Sequence, residues 1–527
     1  MKRFENKVAL VTGSSKGVDA AIAKRLAAVG TDFALIGTDM KLDKAYGPLI
    51  NGIFELDSTD IHPIISPSTG ESLADLHYCN ERDVERAVLA AEAAFPAWRA
   101  LGQQARAQLV LQLANALEGD LERMAQIDAH DVGRCISEVR RDYQTAIRHY
   151  RYFAAVIMGH EDTGRSIADG YSLTKREPLG VCGQIIPWNA PAIMAAFKLA
   201  PALVTGNTVV LKADENASLS TLELGKMITK IFPAGVVNII TGLGSVAGAA
   251  LTGNKKVRKL SFTGSTEVGK LVAKAAAERL VPVTLELGGK SPNIVFPDIS
   301  DIDAVVDNVT FAAIHNNGQS CLAGTRLFVH ADIYDNFCAK LVASFERVRV
   351  GSPLEEQSRI SCLVSEKQGQ RVLSYIQTGL NEGATLLTGG KRRTIAGCEH
   401  GYFIEPTIFS AQNTMRICQE EIFGPVLALI KWSDYDEMIA QANDSEYGLA
   451  SGIYTGSLKN AMETADRLEA GSVWVNRYSN ITDGTAFGGY KNSGIGREFC
   501  KETLNAYTQI KTITLQTDLP SVWFAEN

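Results

Sequence analysis

The chain has 527 residues, too long for one compact domain and enough for about two to four. Its 52 basic and 59 acidic residues leave a formal charge of -7, so there is no broad cationic field, and nucleic acid and anionic membranes are excluded as main partners. Apolar residues make up 46% and charged residues 21%, the balance of a soluble globular protein with a large core.

The nine cysteines are scattered without paired spacing, which fits a reducing compartment rather than a disulfide framework. CxxC and HExxH are absent and the eight histidines are dispersed, so no metal site is expected. The opening MKRFENKVALVTG has too short an apolar stretch for a signal peptide, and no run is long enough to span a membrane. The expected location is the cytoplasm.

In chain order, KVALVTG reads as a buried strand, AAIAKRLAAVG as a helix stopped by Gly30, and DFALIGT as a second strand. The turn between them, Thr12-Gly13-Ser14-Ser15-Lys16-Gly17, resembles the phosphate-binding turn of short-chain dehydrogenases/reductases. That family has a further glycine where Asp19 stands here. It also needs a catalytic Tyr-x-x-x-Lys, and the close string Tyr171 to Lys175 lies in a strand pattern rather than a helix. Residues 1–40 therefore read as a β-α-β remnant. A hairpin around SPSTGE (66–71) follows, then long helical patterns from Glu81 to Tyr152. From Gly180 to Phe296 the short apolar runs VCGQII, NTVVLK, VVNII, KLSF, VTLEL and NIVF alternate with amphipathic helices, which predicts a parallel, doubly wound sheet. A second α/β pattern runs from Asp301 to about Tyr490, and the tail NAYTQIKTITLQT alternates like an edge or hairpin strand.

Four separated segments carry the chemistry: Ile186-Pro187-Trp188-Asn189, Leu285 to Lys290 (LELGGK), Gly318-Gln319-Ser320-Cys321 and Glu421 to Pro425 (EIFGP). With FTGSTEVG (262–269) and FGGYKNSGIGRE (487–498), they stand in the order of the aldehyde dehydrogenase superfamily, which the chain resembles over about residues 45–515. The resemblance implies an α/β fold with a Rossmann-like cofactor domain (41–159 and 179–288) and a second α/β catalytic domain (289–497). It also implies a small β-hairpin oligomerisation element (160–178 and 498–527) that builds homodimers or homotetramers. NAD is the implied cofactor and a small-molecule aldehyde the implied substrate.

Each residue type suits its implied role. A thiolate at Cys321 adds to the aldehyde carbon and makes a tetrahedral adduct that releases hydride readily. The Asn189 amide and the Cys321 backbone N–H can hold the oxyanion. Glu286, flanked by apolar residues, is placed for partial burial and a raised pKa, which suits a base for thioester hydrolysis. By resemblance, Lys212 and Glu215 face the adenosine ribose, and Glu215 would repel a 2′-phosphate, which argues NAD over NADP. Ile185, Ile186, Trp188, Gly244 and Ser265 belong to the same cofactor set, while Glu421, Phe423 and Gln368 belong near the nicotinamide ribose. Thr145, Ala190, Met194, Phe197, Ser320, Leu322, Ser479, Ile481 and Phe487 are implied to line the substrate tunnel, with Ala190 opening it to a bulky, aromatic aldehyde. His315 is expected to be a packing or helix-end residue rather than a partner of Cys321. Two readings of other classes stand beside this one: a binding or structural protein that keeps the fold, and a short-chain reductase acting through residues 1–40.

Overall fold

The structure, a computed structural model, describes residues 9–11, 33–35, 40–479 and 481–519. Its largest sheet is built on five parallel strands, Val181–Ile185, Thr208–Lys212, Val237–Ile240, Val257–Thr263 and Val283–Glu286. Their residues are nearly all buried, because helices cover both faces, and this is why they read as continuous apolar runs. Val181–Ile185 is central. The next two strands lie on one side of it and the last two on the other. The chain therefore reverses direction across the sheet at the carboxyl end of Val181–Ile185, where ligands dock in folds of this kind. Gly494–Ile495 adds an antiparallel edge against Leu285 and Glu286.

Two helices set the site. Pro191–Val204 starts with proline at its first position and is buried over most of its length. Ile136–Val156 buries Val139, Tyr143, Ala146, Ile147 and Tyr150 and packs against it. The opposite face of Ile136–Val156 carries Arg141, Thr145 and Arg148 at helical spacing, on the side away from the core.

The second sheet orders Thr385–Thr388, Thr407–Ser410, Val426–Trp432, Arg326–His330, Pro292–Val295, Ala450–Tyr454 and Ser472–Val475, with only the first strand antiparallel. The run NIVF, grouped with the first series by strand pattern but with the second domain (289–497) by resemblance, pairs here with Arg326–His330 and Ala450–Tyr454. Just before it, at Gly289, the chain runs so close to the Cys321 carbonyl oxygen that a Cβ would collide with it.

A third sheet pairs the tail strand Thr508–Gln516 with all of Gly170–Pro178, and Thr163–Ile167 lies on the far side. Tyr171 and Lys175 sit in that strand. In the N-terminal segment, Ala9–Val11 pairs in parallel with Phe33–Leu35. The expected glycine turn, Asp19 and the helix between those strands lie outside the described residues. Among the described residues, no helix is long and apolar enough to cross a membrane, and no cluster of side chains could hold a metal ion.

Candidate active site

Cys321 follows a turn of unusual backbone. Asn316, Asn317 and Gly318 have φ values of 56°, 58° and 69°, three left-handed residues in succession. Asparagine tolerates that region because its short side chain bonds locally; other L-residues lose about 1–2 kcal/mol each. Gly318 has a steric reason as well, since a Cβ would strike the backbone of Gly424 and Pro425. Asn317 fixes the turn by donating to the Cys362 carbonyl at 2.8 Å and accepting from the Ser361 N–H at 2.7 Å.

The turn delivers a part-buried thiol. Burial, then the carboxylates of Glu421 and Glu286, push the Cys321 pKa up to about 12, while the backbone amides of Cys321 and Leu322 pull it down. The resting group is therefore the thiol, and a base is needed to make it a nucleophile.

Asn189 precedes the helix Pro191–Val204 and is buried. Its Nδ2 donates to the Gln319 carbonyl at 2.9 Å, which leaves the second N–H of the amide for an oxyanion. Glu286 ends the last parallel strand. It is 4% exposed, and neither carboxylate oxygen has a hydrogen-bond partner among the described residues. Burial first, then the charge of Glu498, holds it well above the ordinary carboxylate range, with Lys198 and Arg497 opposing. A Cβ at Gly488 would lie 3.0 Å from its Oε1, so glycine in the FGGYK segment keeps space beside the base.

Lys198 and Glu498 are functional candidates that motif reading missed. Lys198 interrupts the apolar helix sequence PAIMAAFKLAPALV. Its Nζ meets Glu498 at 3.0 Å and Ser261 Oγ at 3.1 Å, with both charged side chains fully or almost fully buried. A lone lysine inside an otherwise apolar helix was the available signal.

On the other side of the thiol, Glu421 accepts the Gly289 N–H at 2.9 Å, and burial raises its pKa to about 7. Phe423 adopts a left-handed φ of 61° and meets the Trp188 ring edge-on at 5.3 Å. Gln368 stabilises that conformation, its Nε2 donating to the carbonyls of Phe423 at 2.8 Å and Ile422 at 3.3 Å. Lys212, at the carboxyl end of its strand, holds Glu215 at 2.8 Å. Ile185 ends the central strand, and Ile186 is buried in the core beneath it. Gly244 opens a π-helical turn with free space where a Cβ would stand, and Ser265 caps the helix Thr266–Arg279 by accepting from Val268 N–H.

Thr145, Ala190, Met194, Phe197, Ser320, Leu322, Ser479, Ile481 and Phe487 line one cavity of about 490 Å³ together with Asn189 and Cys321. Ile193, Phe311 and Phe499 add to its apolar wall. A charged part of the lining, with Arg134, Glu138, Arg141, Asp142 and Arg148, was not foreseen. His315 lies in the wall at the end of the helix Ile302–Ile314, with its ring bonded to the Phe311 carbonyl.

A thiol, an amide donor and an unpaired buried carboxylate beside a doubly wound sheet form the layout of a covalent-catalysis site. Residues 54–513 match the profile of the Aldehyde dehydrogenase family, and the chain belongs to that family. It is 44% identical over 456 residues to DhaS of Bacillus subtilis (strain 168), whose description names an aldehyde dehydrogenase, covering 85% of this chain and 91% of that one. The NAD+ complex of an aldehyde dehydrogenase from Bacillus cereus superposes with a TM-score of 0.88 at 38% identity, covering 91% of this chain and all of that one. The P. syringae indole-3-acetaldehyde dehydrogenase AldA, solved as a cysteine-to-alanine mutant with NAD+ and IAA, gives 0.88 at 37% identity over 90% and 97% of the two chains.

Proposed function

We propose that the protein oxidises an aldehyde to the carboxylic acid with NAD, through a thiohemiacetal and then a thioester on Cys321. Cys321 and Asn189 line one cavity, and the unpaired Glu286 carboxylate lies close enough to Cys321 for its charge to raise the thiol pKa; that grouping carries this reading. The Cys321 thiol gives its proton to cavity water as its sulfur bonds to the aldehyde carbon, and the new oxyanion takes the free Asn189 N–H and the Cys321 backbone N–H. NAD, when bound, would supply the hydride acceptor that turns the adduct into the thioester. Glu286 then removes a proton from water as it attacks the thioester, releasing the acid and restoring the thiol. The buried Lys198–Glu498 pair acts on Glu286 through charge, Glu498 raising its pKa and Lys198 opposing.

The residues present fit NAD. Trp188 and Phe423 form an aromatic ledge beside the thiol, Glu421 offers a second carboxylate oxygen, and the strand ends at Ile185 and Lys212 open on the switch point. Similar proteins solved with NAD+ support the assignment. Lys212 and Glu215 are the residues for the adenosine ribose, with Ile186, Gly244, Ser265 and Gln368 completing the cofactor set.

The substrate reading is a bulky, aromatic aldehyde. Ala190 contributes little bulk to a wall otherwise made of Phe197, Phe487, Phe499, Met194 and Ile481. Ala190→Phe should lower the efficiency for benzaldehyde-type substrates relative to short aliphatic ones by about tenfold; an unchanged ratio rejects it. The exposed strands Thr508–Gln516 and Thr163–Ile167, at the two edges of the third sheet, are natural subunit-pairing surfaces for a homodimer or homotetramer.

The reaction is tested by absorbance of reduced cofactor with NAD and NADP across an aldehyde panel, for native protein and Cys321→Ala. NAD reduction that vanishes in the mutant is the expected result. Activity that survives Cys321→Ala overturns the mechanism.

A further inference from the structure

The oxyanion residue and the nucleophile come from segments far apart in the chain; Asn189 Nδ2 bonds the Gln319 carbonyl directly, and a second side chain bridges the two segments. Asn316 Nδ2 donates to the Asn189 carbonyl at 2.8 Å and to the Gln319 carbonyl at 2.9 Å, two residues before Cys321. Both amide hydrogens are therefore spent on the two segments that must stay in register. Asn316 is itself held from the other side. Its Oδ1 accepts from Arg134 Nε, and its backbone N–H donates to the Glu138 carboxylate at 3.0 Å. Arg134 is 3% exposed and is anchored by Asp142 at 2.6 Å. Arg134, Glu138 and Asp142 all precede or lie in the helix Ile136–Val156, so the wall of the cavity grips the nucleophile turn through this one asparagine.

We propose that Asn316, clamped by Arg134, is a positioning residue that fixes the Asn189 amide relative to the Cys321 sulfur. The proposal rests on the reading of Asn189 as oxyanion donor and Cys321 as nucleophile. A left-handed residue alone could be any glycine; the bridge requires the amide. Without the bridge the Asn189 carbonyl is freed and only the Asn189–Gln319 bond ties the two segments, so they can drift; a displacement near 1 Å is enough to cost about 100-fold in a reaction that depends on alignment.

That distinction gives the test. Asn316→Gly keeps the left-handed backbone and deletes the bridge. The readout is the first-turnover burst of reduced cofactor, compared with NAD affinity and thermal midpoint. The burst rate constant is expected to fall about tenfold or more with NAD affinity unchanged. Asn189→Ala, measured in parallel, is expected to lower it about 100-fold. Asn316→Gly placed on Asn189→Ala is expected to add almost nothing, because there is no donor left to position. Full additivity of the two losses overturns the proposal, as does a burst in Asn316→Gly equal to native. Should Asn316→Gly fail to fold, Arg134→Met supplies the same cycle, with the same expectation and the same overturning result. An unaltered burst in Asn189→Ala alone would instead reject the oxyanion reading beneath it, and the two failures are separately visible.

Discussion

Lys198 meets Glu498 at 3.0 Å and Lys212 meets Glu215 at 2.8 Å, and neither lysine side chain is more than 3% exposed. The partners differ. Glu498 is 2% exposed, whereas Glu215 is 30% exposed at the carboxyl edge of the sheet. A carboxylate that reaches water can exchange its lysine for a solvent or ligand hydroxyl at small cost. A carboxylate without water cannot, and its loss of a partner leaves a bare buried charge. One pair is thus part of a fixed interior whose charges act on Glu286, and the other is an adjustable pair at the sheet edge, where the proposed function puts the adenosine ribose, although local sequence shows a lysine near a strand end in one case and a lysine in a helix in the other.

The largest effect should appear at the group that the buried pair faces. Glu286→Gln is expected to lower steady-state turnover by about 10²–10⁴-fold while the first-turnover burst of reduced cofactor remains. A burst lost along with turnover would assign Glu286 to the thiol proton as well. Next comes stability. Lys198→Met strands Glu498 and should cost about 3–5 kcal/mol; Lys212→Met lets Glu215 turn to solvent and should cost about 1 kcal/mol or less. Urea midpoints measure both, and equal shifts would break the comparison.

A third expectation concerns pH. The base must be deprotonated to act, and its pKa is raised, so turnover should rise with pH well beyond the ordinary carboxylate range. Glu498→Gln removes one of the charges that raise it and leaves Lys198 to oppose. The limb of the kcat profile should therefore move to lower pH, and a limb that stays or rises rejects the coupling. The smallest effect belongs to the exposed pair. Glu215→Gln should weaken NAD by about tenfold or less and narrow the gap to NADP, read from KM for each cofactor.

The sheet strands were legible because residues such as those of VVNII are buried on both faces and must be apolar throughout. The residues that family resemblance assigned to a substrate tunnel line one cavity with Cys321. NIVF was ambiguous by pattern, because a buried strand looks the same in either sheet, and only the resemblance put it in the second domain, where it pairs with Arg326–His330. Lys198, Glu498, Arg134 and Asn316 were missed for a common reason: each acts through a partner distant in sequence. Asn316-Asn317-Gly318 did carry a signal, since two asparagines before a glycine suit left-handed backbone.

The pairing of Lys198 with Glu498 spans 300 residues, as does the bond from Asn207 Nδ2 to the Tyr507 carbonyl. At a synthesis rate of about 5–20 residues per second, the lysine waits roughly 15–60 s for its glutamate. The central strands and the helix around Lys198 can form in that interval, but the charge pair that tunes Glu286 cannot. The growing chain therefore carries its thiol and its cofactor sheet before it carries a working base environment, and the arrival of the tail is the event that turns a folded scaffold into a catalyst.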